Sequence, residues 1–439
     1  MRSVRGAAVL VVVAVLAAIG FVVFAKSGDD KDSGASPAKN SGPGPNGGSG
    51  SDSPSPTGPR EGKPIGDGST SDTGPQPNQP KVEKLKPGEK PPQFVVFSWD
   101  GAAEMDGVNL VSRFRKVARE SNAYMTMFLS GIYVLPESKK SLYQGPKHGP
   151  GATDIEFLLD KNERATLQQM RESWLEGDEI GTHFNGHFCG AKGGDNWSVE
   201  EWKKEIEQAY SFVQNWRTNS GWTDIPSLPF DYKKELIGGR APCLEGQNTL
   251  IPAAKQFGWR YDASSKGGLQ VWPKKKDGLW DLPLQSLPWP GPGGKSQLSM
   301  DYNIMFQQTN GKKDAPQSQW PALEQQATDF YMGGFDRAYN SNRAPLFIGN
   351  HFETWNGGVY MNAVENTMRG VCKKDGVRCV SFRQFVDWLD AQDPGVVAKL
   401  QGLGVAQTPA DWGTVTGGSQ APVNPAGSAP YIAPPARRD

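Results

Sequence analysis

Phe94-Val-Val-Phe-Ser-Trp-Asp-Gly101 is an unbroken apolar run that stops at an acidic residue and a glycine. Such a run reads as a short buried strand ending in a tight turn. Downstream, Tyr124–Leu129 is again strand-like, Thr166–Leu175 has helical spacing and stops at Gly177, and Glu179–His183 returns to strand character. Asn109–Arg119 is amphipathic, and Ser198-Val-Glu-Glu201 is a capping box that opens a helix running to about Trp216. Further strands are expected at Leu236–Arg240, Arg260–Ser264, Trp280–Pro283 and Leu346–Asn350. Repeated strand–helix units imply a parallel sheet, and this many of them predict an α/β fold closed, or nearly closed, into a barrel. In barrels of this kind chemistry gathers at the C-terminal strand ends. Asp100, His183, Arg240, Asp262 and His351 all stand there, directly after apolar runs.

Outward from this domain the composition changes. Arg2 and Arg5 precede an uninterrupted apolar run from Ala7 to Ala25, which Lys26 closes. As a helix that run is about 28 Å long, close to the roughly 30 Å of bilayer hydrocarbon, so residues 1–26 read as a signal anchor, with a cleaved signal peptide as the alternative. Basic residues on the N-terminal side place everything after the run outside the cytoplasmic membrane, anchored or, if cleaved, secreted. A lipidated anchor needs a cysteine just after the run, and the first is Cys189. Residues 27–90 are rich in Gly, Pro and Ser and poor in aliphatics, which predicts a disordered tether. The organisation expected is therefore an anchor at 1–26, a linker at 27–90, a barrel domain at 91–393 and a flexible tail at 394–439.

Formal charge excludes one class of partner. Forty-seven basic residues balance forty-seven acidic ones without a dense Lys/Arg run, so no electrostatic footprint for nucleic acid exists. The chain has only four histidines, and two form His183-Phe-Asn-Gly-His187 at a strand end. A zinc-protease helix would need Glu after the first His, where Phe184 stands, and Gly186 argues against a helix. Two imidazoles on one loop can still close on a metal, and the carboxylate of Asp100 completes a ligand set with open positions for water or substrate. His148, in a Gly/Pro-rich loop, reads as ordinary surface.

In order and spacing, the segments from Phe94 to Trp388 resemble the polysaccharide deacetylase (NodB-homology) family, especially its chitin deacetylase-like branch. Phe97-Ser-Trp-Asp-Gly101 resembles the first motif, Thr-Phe-Asp-Asp-Gly, and His183-x-x-x-His187 the second. Gly239-Arg-Ala-Pro-Cys243 is similar to the third, Tyr261-Asp-Ala-Ser-Ser265 stands where the fourth has a buried Asp, and Ile348-Gly-Asn-His351 resembles the last. The resemblance implies a distorted (β/α) barrel of the polysaccharide deacetylase type, preceded here by the N-terminal transmembrane helix and disordered linker. It implies a divalent metal, zinc in the first place, on Asp100, His183 and His187, and an acetylated polysaccharide or cell-wall glycan as substrate. Further implied roles are an oxyanion contact from the backbone N–H of Cys243, His351 as the acid that protonates the leaving amine, and Asp262 as the residue that orients it. Arg240 pairs in the family with the base. Trp259, Trp272, Trp280, Trp289 and Trp355 are candidate stacking faces, with core packing as their more ordinary role.

The departure lies in motif one, where Trp99 occupies the place of the family's general base. An indole cannot take the water's proton, and losing a positioned base costs about 10²–10⁴ in rate. Glu104, Asp106 and Glu353 are the substitutes near the motif loops, and Arg240 is left to Asp262 or to support of the fold. Outside the membrane four cysteines are expected to pair, Cys372 with Cys379 across a short turn and Cys189 with Cys243 across the loops of motifs two and three. Two function classes follow: a metal-dependent carbohydrate deacetylase, or a non-catalytic glycan-binding protein on the same fold. A hydrolase of non-sugar amides is a third, without positive support.

Overall fold

The computed structural model describes residues 62–291 and 295–417. The anchor expected at residues 1–26 lies outside the described residues. Among those described, no helix is long and apolar enough to cross a membrane.

The strands are β1 (Lys63–Ile65), β2 (Thr70–Asp72), β3 (Gln93–Asp100), β4 (Met125–Leu129), β5 (Glu179–Thr182), β6 (Tyr261–Asp262), β7 (Lys275–Lys276), β8 (Leu279–Asp281), β9 (Ser286–Pro288), β10 (Ser296–Leu298), β11 (Leu346–Asn350) and β12 (Val377–Cys379). A parallel sheet in the order β11-β3-β4-β5 forms the centre, and β12 adds to the start of β3. Helices Leu110–Ser121, Asp160–Glu176 and Trp355–Val371 cover it from outside, as the βα pattern requires. Past β5 the pairing continues without long ladders. Arg240 N donates to Thr182 O, Ala263 N to Gly239 O, Leu282 N to Asp262 O, Ser299 N to Gln285 O, and Gly349 N to Ser299 O. That last bond returns to β11, so the strand circuit closes. The fold is mixed α/β with a parallel sheet, as the alternation of runs predicted.

Side-chain alternation divides the interior into two cores. Phe94, Val96, Phe128 and Phe347 pack together inside the circuit with Tyr261, Leu282 and Phe382. Val95, Phe97, Trp99, Met125, Met127, Leu346 and Ile348 point the other way, into the layer beneath the helices. Period-two alternation along β3 therefore puts Ser98 and Asp100 inside and Trp99 outside.

Two boundaries differ from the sequence expectation. Residues 62–90 are not a free tether: β1 and β2 form an antiparallel hairpin that docks on the domain. Trp216 Nε1 donates to Ser69 O at 2.7 Å, Ser71 N to Leu228 O at 2.9 Å, and Leu85 N to Gln392 Oε1 at 2.8 Å. A Gly/Pro/Ser segment cannot bury a core of its own, but its backbone can be ordered by hydrogen bonds to a surface already formed. The tail, expected from 394, also folds as far as 417. Asp393 caps the helix Pro394–Gln401, and Val396, Leu400, Leu403 and Val415 join the inner core. A few apolar residues at helical spacing in a Pro/Gly-rich stretch were enough to dock it.

Candidate active site

Asp100 closes β3 at the rim of the circuit. Arg240 Nη1 donates to its Oδ1 at 2.7 Å, and both side chains are sealed from solvent. The same Nη1 donates to Ser98 Oγ at 2.9 Å, while Arg240 Nε donates to Ala263 O at 3.2 Å. Burial alone would raise the Asp100 carboxyl; the Arg240 charge, assisted by His183 and His351, holds it below the usual carboxylate value. Arg240 is thus the partner of Asp100 and not of Asp262, which was one of the two roles left open for it.

The His183-to-His187 loop follows β5. Phe184 and His187 both adopt left-handed backbone conformations, which cost of order 1–3 kcal/mol each and persist only where surroundings enforce them. Here Phe184 N donates to Thr182 Oγ1, Asn185 Nδ2 to Glu205 O, and Gly186 N to the Tyr143 hydroxyl. A Cβ at Gly186 would stand 2.5 Å from that hydroxyl, so the close approach requires glycine. His183 Nδ1 lies 2.8 Å from Arg240 O. A carbonyl only accepts, so Nδ1 carries the proton and Nε2 keeps its lone pair. Burial drives His183 down to about 3 and lowers His187 as well, so both rings are neutral. Their centroids are 5.1 Å apart.

His351 follows β11. Its backbone N–H donates to Asp301 Oδ2 at 2.7 Å, and its Nδ1 donates to Asp301 Oδ1 at 2.8 Å. Burial opposes the charged ring, but Asp301 outweighs it and raises His351 to about 9, so the imidazole is cationic at neutral pH. Asp262, expected in this role, is elsewhere. It accepts from Ser264 Oγ and Gln247 Nε2 at 2.7 Å each, and burial lifts it to about 6. The strand ends alternate around the circuit, and the one adjoining β11 belongs to Ser299–Met300, not to β6. Asp301 carried the signal that marked Asp100: a carboxylate directly after a strand-like run, here Gln297-Leu-Ser-Met300.

Asp100, His183, His187 and His351 line one cavity of about 160 Å³, joined by Gly101, Ser130, Tyr133 and Glu353. Of the substitute bases, only Glu353 reaches it; partial desolvation raises its carboxyl, against the pull of His351. Glu104 instead accepts from Ser112 N, and Asp106 pairs with Lys161 at the surface. Trp99 does not line the cavity. It is fully buried in the outer core, stacked on Phe352 with ring centroids 4.1 Å apart, its Nε1 directed at Met125 Sδ.

Both expected disulfides, Cys189–Cys243 and Cys372–Cys379, are formed. Cys243, expected to lend its backbone N–H to the oxyanion, is exposed, close to His187, and not among the residues that line the cavity. Trp259, Trp272, Trp280 and Trp355 are buried in the cores, and Trp289 packs on Phe330, so they offer no stacking platform. His148 is half-buried and stacks on Phe188, not loose at the surface.

The donor chemistry tests the expected metal. Two neutral imidazoles with a free lone pair suit a divalent cation, and the His183–carbonyl bond is the outer-shell support that such ligands use. Asp100, however, is engaged by Arg240. Among the described residues, the one group of three metal-capable side chains within 4.8 Å of one another is His187, Cys189 and Cys243, and both its sulfurs are spent in a disulfide. A catalytic zinc takes three protein ligands. Asp100, His183 and His187 line the same cavity but do not form such a close group, and Arg240 engages one of the two Asp100 oxygens.

No protein-family model matches the chain, and no curated protein does. Solved structures of similar fold do. A Mycobacterium smegmatis protein assigned as a polysaccharide deacetylase shares 14% identity over 70% of this chain and 94% of that one, with a TM-score of 0.39. The family 4 carbohydrate esterase domain of a multidomain xylanase, from the hindgut metagenome of Trinervitermes trinervoides, shares 12% over 67% and 90%, with a TM-score of 0.35. A family 4 pseudoenzyme from Bacillus anthracis shares 10% over 71% and 72%, with a TM-score of 0.35. The chain resembles the polysaccharide deacetylases. The chemistry of this site rests on its own residues.

Proposed function

We propose that this protein hydrolyses acetyl groups, N-acetyl in the first place, on an acetylated polysaccharide or cell-wall glycan. One observation carries the reading: an anionic carboxylate held by Arg240 and a cationic imidazole held by Asp301 face the same small cavity. Titratable groups pushed apart by their surroundings divide base from acid. Asp100 accepts the proton of an attacking water, His351 Nε2 donates one to the departing amine, and the neutral rings of His183 and His187 bound the space between. Placement outside the membrane, tethered through Ala7–Ala25, is inferred from the apolar run and its flanking arginines. Two disulfides agree with an oxidising compartment.

Acetate release by the full chain from N-acetylated and O-acetylated glycans tests this. Turnover is expected and is lost in Asp100→Asn and in His351→Ala; no release from any acetylated glycan would remove the enzymatic reading. The second reading, glycan binding without turnover, is favoured by Trp99, which stands where motif one has its base. Retained binding to the same glycans without acetate release would establish it.

A further inference from the structure

Two hydroxyl side chains, Ser130 and Tyr133, line the cavity that Asp100, His183, His187 and His351 share. They differ in access. The Ser130 hydroxyl is sealed from solvent, whereas Tyr133 is half-buried and ends beside Gly101, the residue after Asp100. A Cβ built at Gly101 would lie 3.7 Å from the Tyr133 hydroxyl and 3.6 Å from Cε2 of its ring. Among the described residues that hydroxyl has no hydrogen-bond partner. Burial, reinforced by Glu353 and Glu156, raises the phenol above its ordinary value, so at neutral pH it remains a donor.

The segment that carries Tyr133 is held in place. Gly131 N donates to Phe184 O at 2.6 Å, Tyr133 N donates to Ser130 O at 2.9 Å, and Ile132 and Val134 are buried on either side. A Cβ at Gly131 would collide with Asn185 Oδ1, so this turn seats closely on the loop between the two histidines. The cavity, at about 160 Å³, is far below the roughly 300–1,000 Å³ that encloses a drug-sized ligand, and suits a small substituent. Ala103, Ile155, Leu158 and Phe352 supply an apolar part of its wall. An acetyl group divides the same way, into a methyl and a carbonyl that needs a donor once out of water.

We infer that Tyr133 recognises the acetyl group: its hydroxyl donates a hydrogen bond to the acyl oxygen, the role expected of the Cys243 N–H. The kinetic part of this inference rests on the proposed hydrolysis. As water adds to the acyl carbon, the carbonyl electron pair passes to oxygen, and the Tyr133 bond strengthens without giving up its proton. Asp100 takes the water's proton, and His351 gives one to nitrogen as the carbon–nitrogen bond breaks, which yields acetic acid and the free amine.

The test compares the full-length wild type with Tyr133→Phe, which keeps the ring and removes the hydroxyl. Acetate release from N-acetylglucosamine oligomers is measured beside calorimetric binding of those oligomers and of the same oligomers with free amines. Tyr133→Phe is expected to lower kcat by about 10²–10³-fold, the loss typical of one oxyanion donor, and to raise KM far less. It is also expected to lose the wild type's preference for the acetylated oligomers, and to melt at the wild-type temperature because the hydroxyl has no partner to lose. A folded Tyr133→Phe chain with wild-type kcat and wild-type preference would overturn the inference and leave the hydrolysis standing. Activity lost only together with a lowered melting temperature would overturn it too, since the hydroxyl would then be structural. A wild type that releases no acetate, yet prefers acetylated oligomers through Tyr133, sinks the hydrolase reading and keeps the inference. A wild type with neither release nor preference sinks both.

Discussion

Arg240 and Asp100 form an ion pair with an N–O distance of 2.7 Å in which neither side chain is more than 4% exposed. Each partner is the other's bonded counter-charge, so the pair acts as a unit. Arg240→Met strands a buried carboxylate, and Asp100→Leu strands a buried guanidinium. Each is expected to lower stability by about 3–5 kcal/mol, whereas the double substitution costs markedly less. Urea denaturation of the three variants checks this. A depressed folded pKa also gives Asp100 a stabilising contribution that is complete above its ordinary value and lost as pH falls through the folded one. In Arg240→Met burial raises the Asp100 carboxyl instead, so this loss of stability with falling pH is expected to be absent from that variant.

His351 has the opposite sign. Its folded pKa of about 9 exceeds the ordinary 6.5, so its contribution is fully present below about pH 6.5 and is lost as pH rises through 9. A shift of this size corresponds to at most roughly 3 kcal/mol. Asp301→Asn is expected to abolish that alkaline slope and to return the His351 resonance, followed by NMR titration, towards or below 6.5. Acetate release in that variant should fall off from near neutral pH. Asp262→Asn should leave the pH profile in place.

Trp99→Asp is expected to unfold the outer core rather than restore a base. The indole is fully buried against Phe352 and Phe114, so the substitution removes a large core side chain and buries an unpaired carboxyl. A loss of at least about 3–5 kcal/mol is expected, with no gain in acetate release. Thermal denaturation beside the activity assay decides. Faster turnover in a stable Trp99→Asp chain would show that residue 99 can turn into the cavity.

The two disulfides differ in the loop they close, with separations of 54 and 7 residues. In the chain-entropy model the first stabilises by about 4 kcal/mol and the second by about 2.4 kcal/mol. Replacing Cys189 and Cys243 with serine is therefore expected to lower the melting temperature more than the same change at Cys372 and Cys379. It should also loosen His187, whose Nδ1 lies 3.9 Å from Cys189 Sγ, and so lower acetate release.

Much of this molecule is legible locally. The apolar runs at 94–99, 124–129 and 346–350, the capping box at Ser198 and the stop at Gly177 each act within a few residues, and each appears where the sequence placed it. Strand-end logic also brought Asp100, His183, His187 and His351 to one cavity. What a residue's neighbour in space would be was not legible. Motif spacing set Asp262 beside His351, while closure of the strand circuit gave that place to Asp301. Motif alignment gave Trp99 to the cavity, while the pleat of β3 sent it to the outer core and left Arg240 to Asp100. Composition made residues 62–90 a tether, while hydrogen bonds to a surface assembled from distant segments folded them onto the domain. The sequence determined by itself the elements and the residues rich in chemistry, because propensity and periodicity are local. Only the tertiary structure decided the pairs, because a hydrogen bond or an ion pair depends on which strand ends become adjacent when the sheet closes.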